Sequence, residues 1–107
     1  MLRTNWFHIL VALADNDRHG SAIAEDVLER TNGALRLWPA TLYRTLDELV
    51  AEGLVEELEG DRRPEGESLR KRYYGVTQLG RQQLSEEVAR LEGFAVAARE
   101  RLGDAGA

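Results

Sequence analysis

Five cationic side chains fall within eleven residues of this 107-residue chain: Arg62, Arg63, Arg70, Lys71 and Arg72. Such a cluster suits phosphate oxygens, arginine through a two-pronged fork and lysine as a point charge. The interleaved acids Asp61, Glu65 and Glu67 leave the window Gly60 to Arg72 at net +2, inside a chain whose formal charge is −5. A second group of hydrogen-bonding residues, Thr41, Tyr43 and Arg44, follows Pro39. Catalysis is not indicated. The chain has no cysteine, which removes thiol nucleophiles, disulfides and Cys-based zinc sites. His8 and His19 lack the clustered ligands of a metal site, and Asp15, Asp17 and His19 read as turn chemistry ahead of a helix. No nucleophile–base–orienter set, phosphate-binding glycine loop or supported carboxylate pair is present. The expectation is a non-enzyme without metal or cofactor.

The elements that position these groups follow from apolar spacing. Leu2, Trp6, Ile9 and Leu13 form one helical stripe and Phe7, Leu10, Val11 and Ala14 a second, so a first helix over Leu2 to Ala14 has two apolar faces. Asp15, Asn16 and Asp17 stop it. Gly20 and Ser21 open a second helix with Ile23, Ala24, Val27 and Leu28 inward, ending at Asn32-Gly33. Pro39 suits the first position of a third helix because its missing N–H has no partner there. Leu42, Leu46, Leu49 and Val50 are that helix's core face, and Gly53 closes it.

Beyond Gly53, Leu54, Val55 and Leu58 fit a short strand, and Arg70 to Val76, with Tyr73 and Tyr74, fit a second. Thr77 is the N-cap of a last helix from Gln78 to about Leu102. In it Leu84, Val88, Leu91, Ala95, Ala98 and Leu102 step by four and three alternately, the a/d seam of a helix that meets a partner helix. A small domain with a thin core gains from such pairing, so these six residues, together with the second apolar face of the first helix, are expected at a homodimer interface. Gly93 marks a kink or a close contact.

The fold class expected is mainly α with a small β-hairpin: a winged helix-turn-helix over residues 1–77, a C-terminal dimerisation helix over 78–102, and a loose tail over 103–107. In that geometry the third helix enters the major groove and the wing reaches the backbone or minor groove. Thr41, Tyr43 and Arg44 project away from the leucine stripe. With Arg62, Arg63, Arg70, Lys71, Arg72 and Tyr73 they form the expected contact set for double-stranded DNA.

Pro39-Ala40-Thr41-Leu42-Tyr43, then Leu46, Leu49, Glu52-Gly53-Leu54-Val55, Lys71-Arg72-Tyr73-Tyr74, Val76-Thr77 and Gly80-Arg81 resemble the PadR family of transcriptional regulators, in its short subgroup with a single C-terminal dimerisation helix. His19-Gly20 followed by Ile23 is similar to the family's second-helix opening. The resemblance implies a dimeric repressor that binds an inverted-repeat operator and is released by a small planar ligand, often aromatic or cationic. In drug-responsive members that ligand lies at the dimer interface between helices 1 and 4. Three positions depart from the family pattern: Trp38 in place of a small polar residue before the proline, Ala40 in place of glycine, and Gly75 in place of a longer polar residue.

Trp6 and Phe94 are the candidate walls of a site for a small aromatic effector, since indole and phenyl faces hold flat guests; ordinary packing is the competing use. Trp38 reads as an apolar lid over the core, with contact to DNA sugar or phosphate as the competing use, and Glu56, Glu57 and Glu59 read as a solvated strand face. No apolar run approaches membrane-spanning length, and the expected location is cytoplasmic. The alternative to a DNA-binding regulator is a winged-helix module that binds another protein, which the net acidity allows.

Overall fold

The computed structural model describes residues 1–64 and 71–103. Four helices, α1 (Thr4–Leu13), α2 (Gly20–Arg30), α3 (Pro39–Ala51) and α4 (Gln78–Leu102), surround strands β1 (Arg18–His19), β2 (Val55–Leu58) and β3 (Tyr73–Val76). All four expected helices are present, and β2 and β3 form the antiparallel hairpin with Val55 opposite Val76 and Leu58 opposite Tyr73. The architecture is a winged helix-turn-helix with a long C-terminal helix.

One strand was not legible in the sequence. Arg18 and His19 pair antiparallel with Tyr74 and Tyr73, so β3 is the centre of a three-stranded sheet in the order β1-β3-β2. Two residues are too short to show an alternating pattern. The strand forms because β3 offers unpaired backbone groups on its second edge. The Gly20 N–H continues the pairing to the Arg72 carbonyl at 3.2 Å. Arg18 also closes the end of α1, its Nε donating to the Ala12 carbonyl at 2.7 Å.

The core is drawn from every layer: Ile9, Leu10 and Leu13 of α1, Ile23 and Val27 of α2, Leu42, Leu46 and Leu49 of α3, Leu54 and Val55 at the start of β2, and Tyr74 of β3. Of the second expected stripe, Leu10 is buried in the core while Phe7, Val11 and Ala14 remain half-buried, as does Trp6 of the first. The chain ends of these helices behave as their residues dictate. Trp38 gives α3 no side-chain cap while Pro39 takes its first turn. At the other end Gly53 adopts φ +76, the left-handed conformation that glycine adopts without a Cβ penalty.

A compact polar junction joins α3, the sheet and α4. The Thr77 hydroxyl donates to the Gly53 carbonyl at 2.6 Å and accepts from the Gly80 N–H at 3.0 Å, while the Thr77 N–H donates to the Leu54 carbonyl at 3.1 Å. Gly80 lies so close to β2 that a Cβ there would sit 2.1 Å from the Leu54 oxygen. Further along α4, Gly93 has nothing within 4 Å of its would-be Cβ, and the helix runs unbroken for 25 residues. No close contact among the described residues accounts for Gly93. Of the expected tail, only Gly103 is among the described residues; it ends α4 at φ +68.

These two glycines set opposite expectations for one substitution. Gly80→Ala must drive apart two backbone segments and should lower stability by about 3 kcal/mol. Gly93→Ala should raise it by about 1 kcal/mol through helix propensity. Urea unfolding midpoints of the two variants check both signs.

Candidate nucleic-acid interface

The helix-turn-helix is held by a glycine that makes room for an aromatic ring. Gly20, the first residue of α2, abuts Tyr43 of α3, and a Cβ at Gly20 would meet the phenol oxygen at 2.4 Å. Tyr43 is half-buried and packs against the core, which corrects its expected projection away from the leucine stripe. The capping residue just before Gly20 is His19, whose Nδ1 accepts from the Ala22 N–H at 3.2 Å. Its ring also stands edge-on to Tyr73, with centroids 5.6 Å apart. Among the described residues no cluster of acids and histidines has the make-up of a metal site.

On α3 the inward residues are Leu42, Thr45, Leu46 and Leu49, and Ala40, Arg44, Asp47 and Ala51 make the exposed stripe; Val50, expected on the core face, lies beyond its edge and is 39% exposed. Thr41 is half-buried at the border, its carbonyl accepting from the Thr45 hydroxyl at 2.7 Å. Arg44 makes no ion pair or hydrogen bond within the described residues. It lines an open cleft of about 310 Å³ with Arg3, Asn5, Trp6, Thr45 and Glu48. In this cleft the Arg3 guanidinium lies 4.9 Å from the Trp6 ring and pairs with Glu48 at 3.4 Å.

The first two wing cations have partners within the chain. Arg62 pairs with Glu56, and Arg63 donates to the Lys71 carbonyl at 2.5 Å while lying 5.6 Å over the Tyr73 ring. Tyr73 is 5% exposed, so its ring supports the wing from inside. Arg70 lies outside the described residues, and Lys71 precedes β3 on the surface.

Arg72 is tied to three elements at once. Its Nη2 and Nε donate to the two Glu57 carboxylate oxygens at 2.8 and 3.3 Å, and Nη2 also reaches Asp47 of α3 at 3.5 Å. The same guanidinium lies 5.4 Å from the Tyr43 ring and 5.5 Å from the Tyr74 ring. Its hydrogen bond holds the Glu57 carboxyl below the ordinary glutamate range, and Glu57 in turn pushes the Arg72 pKa up. Glu56 and Glu57 are thus ion-pair partners of wing arginines, where the sequence suggested only a solvated strand face. Gly75 also has a local reason: Asp17 crosses β3 there, its oxygen 2.6 Å from where a Cβ would stand.

Trp38 is not a lid. It is 64% exposed, with the Arg36 guanidinium 5.0 Å from its ring, and the neighbouring Leu37, 5% exposed, closes the core instead. Along α4, Leu84 packs against the chain's own core, whereas Val88, Leu91 and Leu102 are 37%, 40% and 74% exposed. Ala95 is half-buried and Ala98 exposed. Phe94 is 59% exposed, with the Arg90 guanidinium 5.2 Å from its ring; it is not among the walls of the cleft that Trp6 lines. An acid that the sequence did not single out, Glu87, is 6% exposed and takes two hydrogen bonds from Arg90, at 2.8 and 2.5 Å. Arg90 chiefly, with the Leu2 backbone N–H and the amino terminus, holds its carboxyl below the ordinary range.

Comparison with known proteins agrees with this geometry. The profile of the transcriptional regulator PadR-like family matches residues 9–86. The transcriptional regulator Rv3488 of Mycobacterium tuberculosis is 36% identical over 96 residues, spanning 90% of this chain and 80% of its own length. Among solved structures, RosR of H. salinarum superposes with a TM-score of 0.73 at 28% identity, covering 95% of this chain and 87% of that one. Bacillus subtilis PadR in complex with operator DNA superposes with a TM-score of 0.67 at 23% identity, over 80% of this chain and 47% of that one; this likeness is one of fold. No helix among the described residues is long and apolar enough to cross a membrane.

Proposed function

Because the chain belongs to the PadR-like family of transcriptional regulators, and is therefore a DNA-binding regulator and not an enzyme, we propose that it is a cytoplasmic homodimeric repressor of an inverted-repeat operator. The observation that carries this reading is the exposed stripe of α3, headed by an Arg44 that has no partner among the described residues. A guanidinium so placed can fork to a guanine edge or pin a phosphate. Thr41 lies beside it near the α3 N-terminus, whose first N–H groups no side chain caps and whose dipole favours an anion. Tyr43 borders the stripe, and Arg62, Arg63 and Lys71 give the wing its contacts with the backbone. Arg70 belongs to the same proposed set from outside the described residues.

Pairing through α4 supplies the two-fold symmetry that an inverted repeat requires. Val88, Leu91 and Leu102 already present a row of apolar surface in the single chain, and Ala95 and Ala98 allow close approach of a second helix. Release by a small planar effector is the regulatory part of the reading. Trp6 and Phe94 each hold an arginine against the ring face, at 4.9 and 5.2 Å. A flat cationic guest can take the place of either guanidinium by the same attraction.

Three measurements test these parts separately. Arg44→Ala should weaken operator binding by about 1–3 kcal/mol, measured as a duplex titration across salt concentrations. Wild-type affinity should fall steeply with salt, since each neutralised phosphate contributes a slope of about −0.9. A salt-insensitive interaction would favour the protein-binding alternative. Leu91→Glu should give monomers by light scattering; a persistent dimer refutes the α4 seam. A planar aromatic cation should quench tryptophan fluorescence in the wild type and in Trp38→Phe but not in Trp6→Ala, and undiminished quenching in Trp6→Ala makes Trp6 a packing residue.

A further inference from the structure

Arg72 has the charge of a phosphate contact but the surroundings of a structural tie. Both Glu57 oxygens are engaged by its fork, at 2.8 and 3.3 Å. Asp47 lies 3.5 Å away on the exposed stripe of α3, three residues and nearly one turn beyond Arg44. Tyr43 and Tyr74 offer the guanidinium their ring systems, and the Arg72 carbonyl accepts the first N–H of α2. One residue therefore touches the start of α2, the outer face of α3 and the strand β2 of the wing.

We propose that Arg72 is a positioning residue: it fixes the wing relative to the recognition helix through Glu57 and Asp47, and does not itself carry a DNA phosphate. The proposal rests on the DNA-binding reading above. Its geometric basis is that the side-on fork commits Nε and Nη2 to the two acids and leaves Nη1 alone outside it, in a bond that fixes direction as well as distance. A lysine has charge and reach but no fork, so it cannot hold β2 and α3 in one fixed relation. Glu57 gains a function it would not have on a plain acidic strand. An acid beside a DNA interface ordinarily repels the duplex, yet this one is needed to hold the arginine.

The two roles make opposite predictions for conservative variants. If Arg72 is a tie, Arg72→Lys binds operator about tenfold or more weaker than wild type, despite its unchanged charge. Its log–log salt slope stays equal to the wild-type slope. Glu57→Gln likewise weakens binding, although it removes a negative charge next to the duplex. Thermal melts establish that each variant is folded at the temperature of the titration. Glu57→Gln is the milder change and carries the test if an Arg72 variant does not fold. Wild-type affinity in Arg72→Lys, a slope reduced by about 0.9 in Arg72→Ala, or tighter binding by Glu57→Gln would each overturn the proposal. Failure of the wild type itself to bind duplex in a salt-dependent way would instead remove the DNA-binding reading on which it rests.

Discussion

The placement of α4 and of the wing's base depends on the Thr77 junction. One hydroxyl and one N–H satisfy the end of α3, the start of β2 and the first turn of α4 together. Gly80 allows α4 to begin against the Leu54 carbonyl. Any Cβ at that position pushes the helix away, and the far end of a helix of 25 residues amplifies a small change at its root. The apolar row of α4 and the exposed stripe of α3 are therefore set in one rigid relation by a few polar contacts. In a two-fold regulator that relation determines the distance between recognition helices, hence the spacing of half-sites.

A second tie operates on the other side of the fold. The Thr77 junction fixes the base of the wing where β3 passes into α4; at the opposite end of β3, side chains add to the backbone pairing with β1 and β2. There Arg72, Glu57 and Asp47 draw the wing toward α3, while Tyr43 fills the space left by Gly20 and presents its ring to the same guanidinium. The core supplies the adhesion of the layers. These two clusters supply direction, which non-directional apolar packing does not provide.

What was legible in the sequence is what depends on near neighbours. Helical spacing located α1 to α4, Pro39, Gly53 and Thr77 marked their ends, and aromatic and β-branched residues marked β3. The α4 row is readable because its period is a property of one segment. The misplaced residues depend on distant partners. Tyr43 looks outward by helical phase until Gly20 is brought against it. Arg72 looks like another wing cation, since its acids are 15 and 25 residues away. Trp38 looks like a lid because the sequence does not reveal that Leu37 already closes that part of the core. Gly75 becomes intelligible only with Asp17 lying across β3, a consequence of the two-residue strand that no periodicity announces.

The charge distribution acquires a different meaning from the same contacts. Glu56 and Glu57 are adjacent on β2, and neighbouring strand residues point to opposite faces, so each holds an arginine on its own side of the wing: Arg62 on one, Arg72 on the other. The apparent excess of cations in the wing is thus largely matched from β2, outside the window in which the excess was counted. An acidic chain whose wing charge is internally matched attracts DNA of arbitrary sequence weakly, because that attraction scales with the phosphates neutralised. The proposed interface must then draw a larger share of its free energy from Arg44 and its neighbours on α3, where contacts read base edges, and from the shape of the duplex under two symmetry-related wings. For such a regulator low non-specific affinity raises the ratio of specific to random binding, which decides occupancy when competing sites greatly outnumber the operator.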